Sequence, residues 1–121
     1  MRLHGRYTAA TALAGAALLR VRPVPQLVHR VTGTERNAVY IVCDRTGRVR
    51  YVGSTIGRPA RCRLAEHLVD NWRTRDWHEA WVIPLRSATT PARVRGVEGM
   101  VGRYLRPCDN GWLPRSHTDM A

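Results

Sequence analysis

Apolar and polar positions alternate in short blocks along the 121-residue chain. Residues 1–20, MRLHGRYTAATALAGAALLR, are rich in alanine, the best helix former, and predict a helix. RVRPVPQLVHRVTGTERN carries two prolines and mixed charge, which reads as a linker with at most one helical turn. The compact part then starts near Asn37. AVYIVCD and RVRYVGST, rich in Val, Ile and Tyr on either side of Arg45-Thr46-Gly47, predict a β-hairpin.

Beyond the hairpin, RPARCRLAEHLVDNW sets Leu64, Leu68 and Trp72 at four-residue steps, one face of a helix with Pro59 in its first turn. WHEAWVIPL suits a third strand, with Pro84 near its end or on an edge. TTPARVRGVEGMVGRYL opens with threonine caps and Pro91, then runs a stripe through Val94, Val97, Val101 and Tyr104 or Leu105. Its three glycines each cost about 1 kcal/mol relative to alanine, which predicts a close approach to this helix backbone. The last residues are turn-rich and should fray after Pro114.

These elements predict an α+β fold: a small three-stranded antiparallel sheet flanked by helices and preceded by a helical N-terminal arm. The division is an arm and linker over 1–36, a domain over 37–114 and a tail over 115–121. The length suits one modest core.

Side chains alternate along a strand, so the loop decides which hairpin residues share a face. A two-residue loop at Thr46-Gly47 sets Tyr51 opposite Val42 and Tyr40 opposite Gly53. Both phenols then converge beside a residue without a side chain, leaving a gap for a ligand at the backbone. A three-residue loop would put them on opposite faces, as strand filler.

Charge narrows the partners. The formal net charge is +11, and all 20 basic residues are arginine. Arginine's planar fork matches phosphate, so nucleic acid leads and an anionic membrane surface follows. A GC-rich genome would explain the missing lysines but not the charge excess. No run of about 18 apolar residues is present, which excludes a membrane-spanning helix.

Cys43, Cys62 and Cys108 are an odd set without paired spacing, against a disulfide framework or a zinc knuckle and in favour of a cytoplasmic protein. Residues 1–20 begin like a signal peptide, but they contain threonines and run into RVRP without a cleavage site, so a helical arm is preferred to secretion. His78 and His117 read as surface residues. Trp72, Trp77, Trp81 and Trp112 are expected mostly in the core, although they could stack on bases.

The hairpin resembles the signature of the GIY-YIG nuclease superfamily, two strands ending in Gly-Ile-Tyr and Tyr-Ile-Gly about ten residues apart. Here the tripeptides are Ala38-Val39-Tyr40 and Tyr51-Val52-Gly53, followed by Ser54 and Thr55, and the resemblance covers roughly residues 37–114. RLAEH supplies Arg63 and His67, the family's arginine and histidine one helical turn apart. Glu98 in the later helix and Asn110 in DNGW match its glutamate and asparagine. Ala38 stands where the signature has glycine. The stretch from Tyr51 to Arg63 is about two residues longer than usual, which keeps Arg61 in play as the phosphate clamp.

The resemblance implies a DNA endonuclease of low sequence specificity or with structure selectivity, acting on double-stranded or branched DNA. Tyr40 would be the general base, His67 would take the phenol's proton, and Tyr51 would orient water or phosphate. Arg63 would clamp the scissile phosphate and Asn110 would buttress the site. A single Mg²⁺, or Mn²⁺ in its place, would sit on Glu98. Gly53, Ser54, Thr55 and Arg61 would line the substrate. The bland alternative for Glu98 is an ion pair with Arg95 or Arg103. The arm would contact phosphate or form a homodimer. Rival functions are a non-cleaving nucleic-acid-binding module of the same fold, a DNA-degrading toxin domain, and a small RNA-binding protein with structural tyrosines.

Overall fold

The computed structural model describes residues 3–19, 22–69 and 74–107. Helix α1 spans Leu3–Ala12, and short 3-10 turns follow at Gly15–Ala17 and Val28–Arg30. Strands β1 (Pro25–Leu27), β2 (Asn37–Cys43), β3 (Val49–Ile56) and β4 (Glu79–Pro84) form the sheet. Helix α2 (Ala60–Leu68) lies between β3 and β4, and α3 (Pro91–Leu105) follows β4. The class is α+β, with an antiparallel sheet between helices.

Among the described residues the sheet has four strands in the order β1-β4-β2-β3, one more than the sequence pattern predicts. The addition is β1, inside the supposed linker, where Pro25 pairs with Trp81 and Leu27 with Glu79. Three residues are too few to show alternation, and a proline at the start of an edge strand leaves no broken ladder bond to betray it.

The hairpin register is the expected one: Tyr40 lies opposite Gly53 and Val42 opposite Tyr51. The route to it differs. Gly47 takes a positive φ of 88° in a turn closed by its N–H on the Asp44 carbonyl. One Asp44 carboxylate oxygen accepts from Thr46 N, Thr46 Oγ1 and Arg48 N at 2.6–3.0 Å. Cys43 pairs with Val49, so the wider loop alone would put the tyrosines on opposite faces. A bulge between the Cys43–Val49 and Val42–Tyr51 pairs restores the parity.

Alternation along β2, β3 and β4 divides the core in two. Val39, Ile41, Val52, Trp81 and Ile83 pack against Tyr7, Ala10 and Ala14 on the α1 side and Val94, Val97, Val101 and Leu105 of α3. On the other face Ala38, Tyr40, Val42, Tyr51 and Ala80 meet Val28, Ala60, Leu64 and Trp77. The expected stripe of α3 is therefore buried, with Leu105 completing it; Tyr104 is exposed. Thr90 caps α3 by accepting from Arg93 N at 3.2 Å, and Pro91 follows at the first helical position.

The N-terminal segment does not stand apart as an arm. Tyr7 packs on Trp81 with ring centroids 5.1 Å apart, and Trp81 Nε1–H donates to Thr11 Oγ1 at 2.9 Å. Arg93 and Arg86 donate to the carbonyls of Ala14 and Ala16, both at 3.1 Å. α1 thus contributes to the same core as the sheet and α3. No helix among the described residues is long and apolar enough to cross a membrane.

Candidate functional site

Three elements bring the predicted side chains together. β2 and β3 carry Tyr40 and Tyr51 on one sheet face, and α2 crosses that face with Leu64 buried beneath it. The four-residue step from Arg63 to His67 directs both toward the tyrosines. Tyr40 Oη lies 3.2 Å from His67 Nε2. The Tyr40 and Tyr51 rings are 6.2 Å apart, and Tyr51 meets His67 edge-on at 5.1 Å. Trp77 stacks on Tyr51 at 5.2 Å and 20°, and contacts His67 from the edge at 5.7 Å. Nothing in the local sequence marks Trp77 for this role, because the strand it precedes is remote from the motif.

The room over Gly53 is already taken. A Cβ there would lie 2.7 Å from a Tyr51 ring carbon and 2.8 Å from both Cζ and Oη of Tyr40. The expected gap for a ligand is filled by the two phenols, so in this structure glycine serves to let the rings cross the edge strand.

Burial sets the proton chemistry. Tyr40 is 0% exposed, and this desolvation lifts its phenol above the ordinary tyrosine value. Tyr51 and Glu98 push the same way, while Arg63 opposes them through its charge and a hydrogen bond. The resting group is therefore a protonated phenol, not the phenolate that neighbouring cations alone would favour. Burial, helped by Arg63 and opposed by Glu66, pulls His67 down to about 4. His67 is neutral at physiological pH, and with its proton on Nδ1 it accepts from the Tyr40 hydroxyl.

Of the rival arginines, Arg63 reaches Tyr40, whereas Arg61 is exposed. Arg63 Nη1 also donates to Glu66 Oε1 at 2.9 Å, and Arg58 donates to Glu66 Oε2 at 2.6 Å. Glu66 and Arg58 were not singled out in the sequence, although the three-residue step from Arg63 to Glu66 was a legible helix pair. Thr55, expected against substrate, is buried; its hydroxyl donates to the Arg58 carbonyl at 2.6 Å and shapes the turn.

Glu98 does not join the phenols on their face. It comes from α3, on the other side of edge strand β3, and accepts from Ser54 Oγ at 2.5 Å. Ser54 and Gly53 are neighbours in an alternating strand, so the glutamate and the phenols straddle β3. The charge of Glu98 is still felt at Tyr40. Glu98 is 8% exposed.

A carboxylate beside a hydroxyl is a hard-oxygen donor set that suits Mg²⁺, which keeps most of its own waters. Among the described residues no three His, Cys, Asp or Glu side chains gather as a metal cluster. Asn110, with Cys108, Trp72, Trp112 and His117, lies outside the described residues.

A cavity of about 410 Å³ adjoins Trp77, lined by His29, Asp44, Arg45, Arg75 and His78 among others; neither Tyr40 nor Tyr51 lines it. No family model, curated protein or solved structure matched the chain.

Proposed function

We propose that the chain is a phosphodiesterase of the GIY-YIG nuclease type, cleaving DNA by attack of water at a phosphodiester. The observation that carries this reading is the Tyr40–His67 bond of 3.2 Å beside Tyr51, joining residues 27 positions apart. A protonated phenol bonded to a neutral imidazole is a proton relay: Tyr40 takes a proton from water as it passes its own to His67. A resting phenolate is not required.

Arg63 would offset the charge that grows on the phosphate, and its fork suits that task better than an ammonium. An anionic phosphate beside Arg63 also counters the cation that holds His67 low, which makes the imidazole a better acceptor as substrate arrives. Glu98, with Ser54 beside it, would hold Mg²⁺. The metal would supply charge stabilisation at the leaving oxygen. The charge of +11 would draw DNA to the surface whatever its sequence.

One observation favours a second reading, a non-cleaving nucleic-acid-binding module. Tyr40 is sealed from solvent, so water reaches its oxygen only if a covering side chain moves. Supercoiled plasmid incubated with Mg²⁺ or with EDTA separates the readings. The nuclease nicks it only with metal and loses nicking in Glu98→Ala; the binding module shifts the plasmid on a gel and leaves it intact.

A further inference from the structure

We propose that Arg58 and Arg63 form a two-armed anion clamp now filled by the chain's own Glu66, and that a backbone phosphate of the bound nucleic acid displaces this carboxylate. The inference rests on the phosphodiester reading of the neighbouring site and adds Arg58 as a substrate-binding residue and Glu66 as a built-in competitor.

Each Glu66 oxygen holds one guanidinium, Oε2 that of Arg58 at 2.6 Å and Oε1 that of Arg63 at 2.9 Å. Two cationic forks on the two oxygens of one anion is the arrangement that also suits the two non-bridging oxygens of a phosphodiester. The Arg63–Glu66 pair alone would be an ordinary helix pair. Arg58 lies outside the helix, however, on a turn built to hold it.

Gly57 there has φ 76°, Arg58 N donates to the Arg36 carbonyl at 3.1 Å, and the Arg58 carbonyl accepts from Thr55 Oγ1. The side chains of Arg58, Glu66 and Arg63 are 47%, 47% and 38% exposed, so an anion reaches them from solvent. Exposed pairs of this kind contribute little stability, which makes the occupant easy to displace. Because Arg63 also bonds Tyr40, a phosphate in the clamp would lie beside the phenol it is to react near.

Fluorescence anisotropy of a short labelled DNA duplex, with the full chain in EDTA, tests the clamp. Glu66→Gln should tighten binding several-fold, and Arg58→Ala should weaken it and lower the salt slope by about one. In the double variant the gain from Glu66→Gln should vanish. Glu35→Gln, removing an acid elsewhere, should leave affinity nearly unchanged.

The clamp is overturned if Glu66→Gln fails to tighten binding, tightens it equally without Arg58, or does no more than Glu35→Gln. Binding in EDTA is independent of cleavage. Coupling between Arg58 and Glu66 without any nicking would sink the nuclease reading alone, and nicking without coupling would sink the clamp alone.

Discussion

At the scale of single residues, the site is governed by desolvation. His67 has a folded value of about 4 against its ordinary 6.5, because burial and Arg63 disfavour the imidazolium. The unfolded chain therefore takes up a proton that the folded chain refuses. His67's contribution to stability is complete above about pH 6.5 and is lost as pH falls from there toward 4.

For this partly exposed ring the loss is on the order of 1–2 kcal/mol. Urea midpoints at pH 7.5 and 5.0 should record it, and His67→Phe should flatten the difference. Gly53→Ala acts through sterics instead. Its methyl would press on both phenols at 2.7–2.8 Å and should cost about 1–3 kcal/mol in thermal unfolding.

At the scale of elements, the sheet places the phenols and the helices bring charge to them. Bulge and turn act together in the hairpin, since either alone would put Tyr40 and Tyr51 on opposite faces. α3 supplies Glu98 across β3, and of its glycines Gly99 lies where a Cβ would come 3.3 Å from the Arg103 guanidinium. Among the described residues, a Cβ at Gly96 or Gly102 would meet nothing within 4 Å. Gly96→Ala should accordingly stabilise the protein by about 1 kcal/mol, read from a urea midpoint.

Much of this level was legible. β2, β3, α2 and α3 carry strong periodicity or caps, and the Arg63–His67 step reads as one helix face. β1 was too short to read, and the bulge was invisible because register depends on tertiary pairing rather than local composition. Burial of Tyr40, which decides its protonation state, depends on α2 and has no sequence signature.

At the scale of the whole molecule, the alanine-rich N-terminus is part of the core. Its alanines let α1 approach closely, and Tyr7 supplies the bulk at the Trp81 contact. Composition suggested a separate arm because small residues do not advertise a packed face. Tyr7→Ala should cost about 3–5 kcal/mol by the measure of buried aromatic truncations, seen as a large drop in melting temperature. A detachable arm would leave the melting temperature unchanged.

The proposal for the whole is that a basic surface gathers DNA and the Tyr40–His67 pair cleaves it. One variant separates these two roles. Tyr40→Phe keeps the buried ring and removes only the hydroxyl. It should bind a labelled duplex as wild type does, while Mg²⁺-dependent nicking of supercoiled plasmid falls by at least about a hundredfold. Nicking at the wild-type rate by Tyr40→Phe would contradict the account.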